Sequence, residues 1–179
     1  PMISAGGRYV VVFNGEIYNH LALRAQLDAP AGETAETKKR NRWRGHSDTE
    51  TLLAGFEFWG IEETVRRTVG MFALAVWDKA SRTLTLARDR LGEKPIYYGW
   101  QGNAFLFGSE LKALRGHPEF RAEIDRDVLT LLLRHNYIPA PYSIYRDIHK
   151  LPPGTCLQIN PGQRNAQPVS YWSARDQAE

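Results

Sequence analysis

Val11-Val12-Phe13-Asn14-Gly15-Glu16-Ile17-Tyr18-Asn19-His20 is the stretch on which the reading of this chain turns. Its first residues continue a β-branched and aromatic run that begins at Arg8, and Arg8 to Phe13 reads as a buried strand. The run ends at Asn14-Gly15, a turn dipeptide. A strand that ends this way sets a side-chain amide donor beside a backbone N–H that no Cβ shields. Two such donors side by side can hold a developing oxyanion, as acyl transfer requires. Glu16 adds a carboxylate next door. A lone Asn-Gly pair is more often a simple turn, so the weight falls on what surrounds it.

Working outward, Asn19 to Asp28 reads as a short helix capped by Asn19, and residues 29–46 as a loop. Ser47-Asp48-Thr49-Glu50 has capping-box spacing. Leu52, Leu53, Phe56 and Trp59 follow at helical spacing, and Gly60 stops the helix. Asp48 at a helix start can simply complement the helix dipole. Taken with Glu16, it can instead bind an ammonium group such as the α-amine of an amino acid. After another short helix over 61–69 the character changes. Met71–Trp77 and Thr83–Ala87 read as paired strands, and Ile96–Tyr98 with Ala104–Phe107 as a further hairpin around 100–103. Ser109 to Leu114 reads as a short capped helix and Asp125 to His135 as a longer one. Cys156 to Ile159 is a late strand. Strands in hairpins with helices between and after them fit α+β layers better than alternating βαβ units.

Length and composition agree with one domain, or one and a fragment. The chain has 179 residues, 42% hydrophobic and 24% charged, and is long enough to bury a core. Its net charge of +3 is local: subtracting Lys38, Lys39, Arg40, Arg42 and Arg44 leaves −2. That basic stretch reads as a solvated loop. No nucleic-acid motif accompanies it, so nucleic acid is a disfavoured partner, to be revealed if at all by steep salt dependence. The single cysteine excludes an intrachain disulfide and any zinc site built on several thiolates. Cys156 itself reads as a buried, inert thiol. No apolar run reaches the ~18 residues a membrane helix needs. Pro1-Met2-Ile3-Ser4 has no signal-peptide character, and a start at proline suggests a piece of a longer chain.

Six ordered motifs carry a resemblance beyond composition. Val11 to His20 resembles the glutamine-site segment of the asparagine synthetase (glutamine-hydrolysing) family, and His46-Ser47-Asp48-Thr49-Glu50 resembles its second such segment. Gly70 to Asp78, Ala87-Arg88-Asp89-Arg90-Leu91-Gly92-Glu93-Lys94-Pro95-Ile96-Tyr97-Tyr98 and Gly108 to Leu114 are similar to later family segments, with Leu151-Pro152-Pro153-Gly154-Thr155 following in order. The resemblance runs from about Arg8 to Trp172. It implies a class II glutamine amidotransferase domain of Ntn-hydrolase type, an αββα layered sandwich of antiparallel sheets, here incomplete at the N-terminus. Residues 1–160 would be that domain and 161–179 a linker toward an absent synthetase domain. The activity implied is hydrolysis of glutamine to glutamate and ammonia, which feeds ATP-dependent amidation of aspartate or a related carboxylate. Asn14 and Gly15 would form the oxyanion hole. Glu16 and Asp48 would bind the glutamine α-ammonium, with the backbone at Val12 and Asn14 also touching substrate. The family nucleophile is an N-terminal cysteine whose own amine is the base, and position 1 here is Pro1. The isolated chain is therefore expected to be inactive. No cofactor or metal is expected on it, since ATP and magnesium would belong to the synthetase domain. A cytoplasmic location, no membrane partner and a homodimer fit the same resemblance. A non-catalytic amidotransferase-like binding module is the alternative, although such a module would not need Asn14, Glu16 and Asp48 together. Arg88, Asp89, Gly92, Lys94 and Pro95 read as a structural turn.

Overall fold

The computed structural model describes residues 1–28 and 43–178. Most of the expected basic loop, with Lys38, Lys39, Arg40 and Arg42, lies outside the described residues. In chain order the elements are β1 (Met2–Ile3), β2 (Tyr9–Ile17), α1 (His20–Asp28), α2 (Asp48–Trp59), α3 (Ile61–Arg67), β3 (Gly70–Asp78), β4 (Thr83–Arg88), β5 (Tyr97–Gln101), β6 (Ala104–Gly108), α4 (Leu111–Leu114), α5 (Arg126–His135), β7 (Ile148–Lys150), β8 (Thr155–Ile159), β9 (Val169–Ser170) and α6 (Ala174–Ala178). They form a six-stranded sheet ordered β1-β2-β3-β4-β8-β9 and a three-stranded sheet ordered β6-β5-β7. The pairings are antiparallel. None of the described helices is long and apolar enough to cross a membrane.

Period-two alternation gives each face of the large sheet its own core. Tyr9, Val11, Ile17, Phe72, Leu74 and Val76 pack against Leu23, Leu52, Leu53, Phe56 and Val65 of the first three helices. On the opposite face, Ala73, Ala75, Leu86 and Leu157 cluster with Ile96, Tyr98 and Leu151. Beyond the small sheet, Leu106 and Ile148 meet Leu114 of α4. The layers are thus helices, sheet, sheet, helix, the αββα arrangement expected. Helix ends follow local chemistry. Ser47 Oγ accepts the Thr49 N–H at the start of α2, and Gly60 closes it at φ +83° with its N–H on Phe56 O. Asp125 caps α5 by accepting the Asp127 N–H, and Asn136 ends it in the left-handed region.

Five local expectations give way to tertiary context. The strand does not stop at Asn14-Gly15: β2 continues to Ile17, with Asn14 opposite Ala73 and Gly15 opposite Phe72. Asn19 does not cap α1 with its side chain. Its Oδ1 accepts the Val69 N–H and its Nδ2 donates to Arg67 O, which ties the exit of β2 to the entry of β3. The β5–β6 hairpin turns on Gly102-Asn103 alone, so Trp100 and Gln101 lie within the strand. Ser109 does not cap α4; the capping position is Glu110, without a side-chain cap bond. The stretch expected to be a linker returns to the sheet, where β9 pairs with β8. Tyr171 behind it is buried, and its hydroxyl donates to Arg88 O at 2.8 Å.

Candidate active site

The site is built at one corner of β2. The small sheet covers the face of the large sheet at β3, β4 and β8 but leaves that face of β2 open. Val12, Asn14 and Glu16 point to this face and are exposed, Val12 at 52%. Ala73 and Ala75, the β3 partners of Asn14 and Val12, are themselves buried beneath the small sheet, so the open strip of this face is β2 itself.

The edge of β2 matters as much as its face. In an antiparallel pair, alternate residues direct both N–H and C=O toward the partner strand. Phe72 directs its pair away from β2: its N–H donates to Asp89 Oδ2 at 3.2 Å, and its carbonyl accepts the Asp89 N–H at 2.8 Å. Gly15, opposite Phe72, therefore directs its own N–H away from β3, to the outer edge. The same parity holds along the strand. Tyr9 O accepts the Ser4 N–H on that edge, and the Ile17 N–H there donates to Asp48 Oδ2 at 3.0 Å. β1 pairs only with Val10 and Val11, so the edge at Gly15 lies between two anchors. The glycine is required for a further reason. A Cβ at position 15 would stand 2.1 Å from Met71 O, so β3 can approach this closely only if residue 15 has no side chain.

Asp48 reaches the same corner from the first turn of α2. Its Oδ1 accepts the Thr49 N–H at 2.7 Å while Oδ2 holds Ile17, one residue beyond Glu16. Asp48 is thereby tied to the end of β2, at the residue that follows Glu16. The phenol of Tyr18, next along the chain from Ile17, is raised above its ordinary range by desolvation first and then by the carboxylates of Glu93, Glu16 and Asp89.

Two supporting residues had no sequence signal of their own. Arg24, 8% exposed on α1, donates Nε to Thr51 Oγ1, Nη1 to Gly45 O and Nη2 to Ser47 O, and its guanidinium stacks on Trp43 at 4.2 Å. Glu50 completes the clasp by accepting the Arg44 and Gly45 N–H groups, so the expected capping box closes two and three residues further back than the ideal one. Together they fix the segment that delivers Asp48. Ser109 is the other: its Oγ accepts from Asn14 Nδ2 at 3.0 Å.

Cys156 lies elsewhere. It packs with the helix-side core, on the opposite face of the sheet from Asn14, and burial pushes its thiol up to about 12. The Arg88–Pro95 stretch is a backbone-bonded turn. Arg88 donates to the carbonyls of Gly92, Lys94 and Leu151, while the fully buried Asp89 accepts from the N–H groups of Phe72, Leu91, Glu93 and Lys94.

Comparison with known proteins bears on the family and the fold. Residues 1–172 match the family model described as a glutamine amidotransferase domain. An asparagine synthetase (glutamine-hydrolysing) of Bacillus subtilis is 35% identical over 96% of this chain and 26% of its own length. A putative asparagine synthetase of Methanocaldococcus jannaschii is 34% identical over 93% of this chain and 30% of its own. The chain thus spans between a quarter and a third of these relatives. Among solved structures, glutamine phosphoribosylpyrophosphate amidotransferase of B. subtilis superposes with a TM-score of 0.60 at 19% identity, covering 96% of this chain and 31% of that one. A glutamine aminotransferase class-II domain protein of Silicibacter pomeroyi superposes at 0.52 with 20% identity, covering 96% and 72%. At such identities the superpositions speak for the fold, which is the Ntn-hydrolase-type α+β fold of class II glutamine amidotransferases. On the family match and the shared fold together, the chain belongs to the glutamine amidotransferase domain family.

Proposed function

We propose that this chain forms the glutamine site of a longer, asparagine synthetase-like enzyme and takes part in hydrolysing glutamine to glutamate and ammonia. The observation that supports the reading is the end of β2, which carries the Asn14 and Glu16 side chains on its open face and the Gly15 N–H at its outer edge, with Asp48 bonded to Ile17 on that same edge. In this reading Glu16 and Asp48 grip the α-ammonium of glutamine. A thiolate attacks the side-chain amide carbon, and the carbonyl oxygen becomes an oxyanion held by Asn14 Nδ2 and the Gly15 N–H. The amide nitrogen, once protonated, leaves as ammonia, and water then releases glutamate from the thioester. The nucleophile is the terminal cysteine implied by the family, not Cys156, whose place across the sheet and raised pKa both disqualify it. Ammonia passes to the remainder of the longer protein, where ATP and magnesium serve amidation of aspartate or a related carboxylate. A cytoplasmic setting goes with this chemistry.

The test is glutamine-dependent ammonia release by the full-length polypeptide. Asp48→Asn removes one charge from the ammonium grip, together with one of the two bonds that Asp48 accepts from the Ile17 and Thr49 N–H groups. A charge-assisted bond is worth about 1.5–3 kcal/mol, so the KM for glutamine should rise about 10- to 150-fold with kcat far less affected. An unchanged KM would remove Asp48 from the substrate site.

A further inference from the structure

We infer that Ser109 is a positioning residue for the Asn14 amide, an assignment that rests on the oxyanion role proposed above. Asn14 lies on the large sheet and Ser109 at the end of β6 in the small one. Their 3.0 Å bond therefore joins the two sheets at the candidate site. Ser109 is held from both sides. Gly108 before it is paired with Tyr97, and Leu114 after it anchors α4 in the core beneath the small sheet. Serine at this place has a local use that it forgoes. It precedes a helix, yet α4 receives no side-chain cap bond, and the hydroxyl turns to Asn14 instead. The neighbouring Glu110 turns its carboxylate to Lys112 at 2.6 Å, and Asn14 Nδ2 donates to Ser109.

The arithmetic of the amide gives the bond a purpose. Asparagine has two N–H donors and a hydroxyl has two acceptor lone pairs. One Asn14 N–H is taken by Ser109 Oγ, which fixes the plane of the amide, and the second remains for a substrate oxygen. An exposed asparagine on a strand otherwise rotates about its terminal torsion, which is broad and roughly two-fold. A donor that must meet an oxyanion without reorganising is effective only when that torsion is already fixed.

The experiment is a double-mutant cycle in the full-length polypeptide, with glutamine as substrate and ammonia as readout. Ser109→Ala should lower kcat on the order of tenfold, less than the ~10²–10³ expected for loss of an entire oxyanion donor, with KM for glutamine little changed. Ser109→Thr, which keeps the hydroxyl, should recover most of that loss. In an Asn14→Ala background, Ser109→Ala should cost nothing further, because the group it positions is gone. The Asn14 side-chain amide resonances should also shift in Ser109→Ala. A kcat loss of equal size with and without Asn14, a loss confined to KM, or a rise in kcat would each overturn the inference. If Asn14→Ala lowers kcat and Ser109→Ala does not, only the role of Ser109 falls; if Asn14→Ala leaves kcat intact, the oxyanion reading falls with it.

Discussion

Asp89→Asn is the substitution whose cost can be worked most fully from the structure. The carboxylate is fully buried and accepts four backbone N–H groups: Leu91 and Glu93 on Oδ1, Phe72 and Lys94 on Oδ2. An asparagine is nearly the same size but has one acceptor oxygen. Whichever way the amide turns, two of the four N–H groups face an NH₂ group and lose their partner. Hydrogen bonds to a charged acceptor are worth about 1.5–3 kcal/mol each, so the loss comes to about 3–6 kcal/mol. That is a large part of an ordinary domain's stability. At about 2–4 °C per kcal/mol for a chain of this length, Tm should fall roughly 6–24 °C. The assay is thermal and urea unfolding of the chain beside Glu93→Gln, which alters an exposed side chain in the same turn. The consequence reaches the site, because the Asp89 carboxylate and N–H occupy the backbone of Phe72 and so leave Gly15 facing outward. A loss below about 1 kcal/mol would refute the reasoning, since it would mean that a buried four-fold acceptor can be halved without penalty.

Two further outcomes follow from other charged groups. Asp78 is held well below the usual carboxylate range by the Arg8 guanidinium, helped by the N–H groups of Ala80 and Ser81. A depressed folded-state pKa stabilises the fold above the unfolded value of about 3.9 and loses that contribution as pH falls through the folded one. The difference in urea midpoint between the natural chain and Asp78→Asn should therefore be full at pH 6 and shrink steadily below about pH 4; a constant difference would contradict the pairing. Arg24→Met removes four donated bonds, the longest of them to Glu50 Oε2 at 3.4 Å, from the clasp around Asp48. At about 1 kcal/mol net each, with the exposed carbonyls regaining water, it should cost about 2–4 kcal/mol by urea unfolding and raise the glutamine KM of the full-length polypeptide. Arg24→Lys should restore only part of both, because an ammonium cannot present the planar fork.

Much of this fold was legible because its strands are short β-branched runs separated by polar turns, and because Ser47, Gly60 and Asp125 mark helix ends by purely local chemistry. The misreadings share one cause. Asn14-Gly15 has the composition of a turn, yet pairing with β3 keeps it extended, and the glycine is there for close approach to Met71. Asn19 and Ser109 are both helix-capping residues by type, and both spend their side chains on partners far along the chain. Val169–Ser170 is too short and its surroundings too polar to signal a strand, although Tyr171 beside it is core. Of the candidate site, Asn14, Gly15, Glu16 and Asp48 could be named because the family resemblance of their two segments marks them. Arg24 and Ser109 could not, since an arginine inside an amphipathic helix looks like surface until its burial is seen, and a hydroxyl before a helix looks like a cap.

The most direct test of the central claim is the kinetic effect of Asn14→Ala on glutamine hydrolysis by the full-length polypeptide. Loss of one of two oxyanion donors predicts a fall in kcat of ~10²–10³ with KM within a few-fold of the original. An unchanged kcat, or a loss expressed only in KM like that expected for Asp48→Asn, would contradict the account and leave this corner of β2 as a binding surface without a part in the chemistry.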